Sequence, residues 1–287
     1  MNILMNMSSR LVIALGIAGC VITAGCDLSA GRMIGFGACI SGMLLQRMDY
    51  SGKFFPDMQP LNVFVVALIA MLVCAAFGTV TGFFIAYLNV PPFIATLAMM
   101  EIVYGIGLIV TNATPLGGYV EQYTNVSNGK FLGINYLIWI AIIVAAITWF
   151  IFNMTRHGKY MYAIGGNPQA AEVAGVPVKA TLILIYMKAA AMYGLAGFML
   201  GAKAGGASVQ TGYGYEMEAI AACTIGGVSV TGGRGKVSSA IIGVAVFELL
   251  KVALQYLGMN ANAQYIAIGV VIFIAISLDI RKYIARK

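Results

Sequence analysis

Charge is what this sequence lacks most. Only 9% of its 287 residues are Asp, Glu, Lys or Arg, against roughly 25% in ordinary soluble domains. So few charges cannot cover a surface in water, which excludes a soluble globular domain. Acids are scarcer than bases, 10 against 17. The basic excess clusters at the ends of apolar runs, where cytoplasmic loops of membrane proteins need it, so no nucleic-acid partner is implied. There is one histidine, His157, and neither an HExxH nor a GxSxG motif. No catalytic centre is therefore expected. GGRGKVS at 232–238 falls short of the phosphate-binding pattern GxxxxGK[ST], so the chain carries no ATP site of its own. The five cysteines, Cys20, Cys26, Cys39, Cys74 and Cys223, form no CxxC pair and read as small packing residues. IAGC at 17–20 resembles a lipoprotein cleavage box, but the apolar run continues beyond it to Cys26. Neither a metal nor a cofactor is expected.

What the chain has in abundance is apolar length. It is 61% hydrophobic, with a mean hydropathy of +0.90. A helix needs about 20 apolar residues to cross the hydrocarbon core. On that measure nine segments are expected, at about 9–26, 30–45, 61–88, 93–110, 134–152, 180–201, 215–231, 237–257 and 263–280. The fold class is an all-α polytopic helical membrane protein, one domain over residues 1–287. The first, second and seventh segments are short and Gly-rich, as expected of broken or re-entrant helices, which survive only inside protein or beside a cavity. Tyr136, Trp139 and Trp149 mark interface positions of the fifth.

Basic residues set the expected orientation. With the loop at 153–179 and the tail at 281–287 in the cytoplasm, ten Lys and Arg fall inside. Five fall outside: Arg10, Arg47, Lys53, Lys130 and Lys203. The odd span count puts the amino terminus outside, and a further segment upstream would resolve that. GCDLSAGR at 25–32 aligns weakly with GVSVTGGR at 227–234, each a Gly-rich turn between short apolar segments. A parallel internal repeat follows, as in many transporters.

Charges inside membrane segments are functional candidates, because burying them is expensive. Four qualify here: Glu101, Lys188, Glu248 and Lys251. Glu248 and Lys251 are three apart and are expected to pair with each other. Lys188 is a possible partner for Glu101 across the bundle. In the turn before the second segment, Asp27 and Ser29 fit either helix capping or a gate at the inner end of a pore. Asp27, Ser29, Glu101 and Lys188 are thus the pore and gating candidates.

The longest polar interruption, 153–179, carries its own helix signature. Asn167 is a good N-cap, Pro168 suits the first helical position, Gly175 ends the run and Pro177 prevents its resumption. A helix this short is marginal alone, so it is expected to form against a partner.

Several stretches together resemble one family, the membrane permeases of monosaccharide ABC importers (ribose, arabinose, galactose, autoinducer-2). They are GCDLSAGR at 25–32, AYLNVPPFIATL at 86–97, AIGGNPQAA at 163–171 with Gly175-Val176, AIAAC at 219–223 with Gly226-Gly227, and GGRG at 232–235. LLQRMD at 44–49, FPDM at 55–58 and IVYG at 102–105 look closest to the family's galactose/methyl-galactoside branch. The resemblance implies a homodimer of chains with about ten helices in a bacterial inner membrane, its carboxyl terminus cytoplasmic. ATPase subunits would dock beneath it and a periplasmic sugar-binding protein above. Residues Gly165, Gly166, Asn167, Pro168, Ala170, Ala171, Gly175 and Val176 match the family's ATPase-coupling element. Against the family's pattern, its first helix is expected to be missing from this stretch. An ion-coupled carrier using Glu101 and Lys188, or a degenerate non-transporting subunit, are the competing expectations.

Overall fold

The computed structural model describes residues 2–284, so Arg286 and Lys287 of the expected cytoplasmic tail lie outside the described residues. All nine apolar segments are helices. They are α1 (Asn2–Ile22), α2 (Ala30–Leu44), α3 (Val63–Tyr87), α4 (Pro92–Thr111), α6 (Tyr136–Met154), α9 (Val178–Ala204), α10 (Tyr215–Gly226), α11 (Val237–Tyr256) and α12 (Ala261–Ile284). Three more helices are polar: α5 (Glu121–Asn128), α7 (Arg156–Gly166) and α8 (Pro168–Val173). A two-residue hairpin, β1 (Lys130–Phe131) with β2 (Ile134–Asn135), sits between α5 and α6. The protein is a polytopic helical membrane protein.

Boundaries moved most where polar residues lie inside the bilayer. The first helix starts at Asn2 and stops at Ile22, so Arg10 belongs to a span and not to an outer loop. Arg32, one of the ten basic residues expected on the cytoplasmic side, lies in the first turn of α2. The two short segments are indeed short. At 15 and 12 residues, α2 and α10 reach only about 22 and 18 Å, less than the roughly 30 Å hydrocarbon core. Each is a half-helix held inside the bundle.

The bundle is built around α1, which is buried on all sides from Val12 to Ile22. Beside it, α9 is the common strut for α2 and α3. Little hydrophobic effect drives helices together in lipid, so close packing of small residues must do it. A Cβ on Gly37 would come within 2.9 Å of the Gly194 Cα, which is how α2 and α9 touch backbone to backbone. At the far end of α9, α5 closes the bundle. The Tyr123 hydroxyl donates to the Phe198 carbonyl at 2.7 Å and Ser127 Oγ to that of Ala202 at 3.1 Å. Asn135 then caps α6, its side-chain oxygen accepting from the Leu137 amide at 2.9 Å. The outward faces of α3 and α6 are apolar, with Phe64, Leu68, Leu72, Ile143, Ile147 and Phe150 all exposed. These are lipid-facing surfaces.

Candidate functional site

The stretch 153–179 folds as its local signals require. Thr155 caps α7, its Oγ1 accepting from the Gly158 amide at 3.3 Å. Asn167 caps α8, its Oδ1 accepting from the Ala170 amide at 2.9 Å, and Pro168 opens the helix. Gly175 takes φ +80°, a conformation that stops α8 and that an L side chain resists. Ala171 is buried under α8, whereas Gln169, Ala170 and Glu172 are exposed. Val173 is 91% exposed, an apolar side chain left without a covering partner in this chain.

The inner side of this element is anchored by backbone contact. A Cβ on Gly165 would collide with the Ile22 carbonyl oxygen at the end of α1 and approach the Gly233 amide to 2.5 Å. The Gly233 amide in turn donates to that Ile22 carbonyl at 2.8 Å. The Tyr162 hydroxyl donates to the Gly235 carbonyl at 2.8 Å. Three segments therefore interlock: the end of α7, the end of α1 and the turn between α10 and α11. Gly166, by contrast, has nothing within 4 Å of a notional Cβ. His157 is half-buried beside Lys188, and burial first and the Lys188 charge second lower its pKa to about 4. It is a neutral imidazole at physiological pH.

Asp27 and Ser29 meet where α1 turns back into α2. Asp27 is 2% exposed. Its Oδ1 accepts from the Ser29 amide at 3.0 Å and the Ser29 hydroxyl at 2.6 Å, and its Oδ2 accepts from the Tyr193 hydroxyl at 3.1 Å. Thr96 Oγ1 accepts from the Leu28 amide at 3.2 Å. Ser29 itself makes no side-chain cap to α2. The Asp27 carboxylate thus braces the turn onto α9, rather than capping the helix through Ser29.

The intramembrane charges pair differently from the expectation. Glu248, 2% exposed, takes Arg10 of α1, and Lys251 takes Glu218 of α10. Arg10 Nε also lies 3.5 Å from Glu218 Oε2. Spacing of three put Glu248 and Lys251 on one face, but partners across the interface came closer than each other. Arg10 and Glu218 were missed because they were assigned to segment edges. The charges line a cleft of about 610 Å³ between α1, α10, α11 and α12. Glu101 and Lys188 do not meet. Lys188 lies among α1, α6 and α7 beside His157. Glu101 is exposed on α4, and among the described residues it forms no ion pair.

Residues 1–276 match the family described as branched-chain amino acid transport system / permease component. The chain belongs to this permease family. It is 42% identical to the galactose/methyl galactoside import permease protein MglC of Escherichia coli (strain K12) over 293 residues, which cover 100% of this chain and 87% of that one. The MglC of Haemophilus influenzae is also 42% identical, with the same coverage. The ribose import permease protein RbsC of Escherichia coli (strain K12) is 32% identical, over 98% of this chain and 85% of that one. No solved structure matches. The chain is therefore the permease subunit of a bacterial importer, a multi-pass membrane protein and not an enzyme. Importers of this kind work with an ATPase and a substrate-binding protein.

Proposed function

We propose that this chain is the translocation subunit of an ATP-driven importer for a monosaccharide of the galactose class. The observation that carries the sugar class is the 42% identity over the whole chain to galactose/methyl galactoside import permeases. The permease works as a homodimer in the inner membrane. The end bearing α7 and α8 faces the cytoplasm, as does the carboxyl terminus. Residues Gly165, Gly166, Asn167, Pro168, Ala170, Ala171, Gly175 and Val176 form the coupling element, and the exposed Val173 side chain supports an apolar contact with an ATPase groove. Closure of the ATPase pair pushes α8. Backbone packing of Gly165 on Ile22 and Gly233 delivers that push to α1 and to the α10–α11 turn. Differential affinity of the ATPase for the two permease states is what shifts the equilibrium.

The pathway runs along the α4 face that carries Glu101. Nine residues past Pro92 in a helix of 20, Glu101 sits near mid-bilayer, where an exposed charge facing lipid is prohibitively costly. That face therefore looks onto water or a second copy. The test is uptake of radiolabelled galactose into vesicles holding the permease, its ATPase and its binding protein. Uptake should persist when the proton gradient is collapsed and stop when ATP is depleted. The reverse pattern would establish an ion-coupled carrier instead. Gly166→Arg should abolish co-purification with the ATPase while leaving the permease in the membrane.

A further inference from the structure

A second polar group on the same face is not explained by packing. Arg32, in the first turn of α2, lies between two aromatic rings, its Cζ 3.9 Å from the centroid of Tyr104 and 4.5 Å from that of Tyr213. Its Nη1 donates to Gln210 Oε1 at 2.8 Å, and Gln210 Nε2 donates to the Tyr104 hydroxyl at 3.0 Å. The Arg32 Nε–H is buried and has no acceptor among the described residues. Gln210 is exposed, and so is Tyr213, by 62%.

The depth of this cluster makes its exposure informative. Tyr104 lies seven residues from the end of α4, roughly 10 Å inside the span. Residues 205–214 reach it as a re-entrant segment. A Cβ on Gly35 of α2 would meet the Val209 and Thr211 carbonyl oxygens at 2.7 and 2.9 Å, so the segment's backbone rests directly on α2. Its own turns are closed by the Ser208 amide donating to Thr211 Oγ1 at 3.0 Å and the Tyr213 amide donating to the Gln210 carbonyl at 3.1 Å. Non-helical backbone at membrane depth is tolerated only in protein or beside a water-filled cavity. An exposed amide and phenol there do not face lipid. Tyr213 stands at the edge of the cleft lined by Arg10, Glu218, Glu248 and Lys251, and Tyr104 lies one turn from Glu101 on α4.

We propose that Tyr104, Arg32, Gln210 and Tyr213 form a sugar-contacting constriction of the pathway, selective for neutral polyhydroxylated rings. The proposal rests on the importer reading above. A pyranose has an apolar C–H face and a rim of hydroxyls. The exposed side of the Tyr213 ring takes the C–H face, while the exposed Gln210 amide, oriented by Arg32 and Tyr104, donates its second N–H to the hydroxyl rim. Arg32 Nη1 also lies 3.5 Å from the Val209 carbonyl, so the guanidinium ties α2 to the segment that carries Gln210 and Tyr213. Contacts of this kind are short-lived and fit passage, not storage.

The test uses permease reconstituted with its ATPase and binding protein, with radiolabelled galactose and ribose as probes. Tyr213→Ala and Gln210→Ala should each lower the maximal uptake rate by roughly tenfold or more. ATPase co-purification and the half-saturating concentration of loaded binding protein should stay unchanged. Tyr213→Phe, which keeps the ring, should retain most of the rate, and Tyr213→Leu should not. Wild-type rates in Tyr213→Ala, or equal losses in Tyr213→Phe and Tyr213→Leu, would overturn the constriction. If wild type takes up neither sugar, the importer reading fails, and the constriction with it.

Discussion

Arg10, Glu218, Glu248 and Lys251 show how charges survive inside a span. Two positive and two negative groups from three helices neutralise one another, and Glu248 is almost wholly inaccessible. Removing one partner of a buried pair leaves the other desolvated and unpaired, at about 3–5 kcal/mol, whereas replacing both with apolar residues is often neutral. Arg10→Ala should therefore lower the melting temperature of the detergent-purified permease markedly. Arg10→Met combined with Glu248→Leu should recover most of that loss. Equal melting temperatures for the single and the double variant would mean that the pair does not hold α1 to α11. Glu101 is the counter-case. It is a mid-span acid with no ion-pair partner among the described residues and an exposed position, which is why the proposed pathway is drawn along its face.

At the scale of elements, the coupling segment has a rigid side and a free side, divided between two adjacent glycines. Gly165 is wedged against Ile22 and Gly233, while Gly166 opens to empty space. Gly165→Ala forces backbone apart and should cost about 1–3 kcal/mol, as overpacking does. Gly166→Ala should be nearly silent in stability. Thermal unfolding of the two purified variants would check this. Indistinguishable variants would mean that α7 is not locked to α1. The contrast was not legible in GGNP at 165–168, because both glycines precede the same cap. The cap itself was legible: Asn167, Pro168, Gly175 and Pro177 act within a few residues of their own position.

For the whole molecule, the faces divide by chemistry. Apolar α3 and α6 surfaces face lipid, and the proposal puts the α4 face with Glu101 on the two-fold axis of the homodimer. An axis brings a residue close to its own copy. Leu97, exposed and one turn before Glu101, is expected to lie near its counterpart. Leu97→Cys should give covalent dimers with a short bis-thiol cross-linker in membranes, and Ile147→Cys on the lipid face of α6 should not. The native thiols interfere little, since Cys20, Cys39, Cys74 and Cys223 are buried and Cys26 is half-buried. Dimers from Ile147→Cys but not from Leu97→Cys would place the interface elsewhere.

By itself the sequence determined that this is a membrane protein, that nine apolar segments are helices, and where α8 begins and ends. Those properties depend on composition and on neighbours a few residues away. Family-specific stretches also pointed to a sugar importer permease, which the full-length match to such permeases supports. Only the tertiary structure decided that Glu248 pairs with Arg10 rather than Lys251, that Lys188 sits beside His157 rather than Glu101, and that Arg32 is held by Tyr104 and Tyr213. Each of those outcomes depends on which helix lies across the interface and at what depth. Periodicity assigns a face to a residue but does not say what stands opposite it.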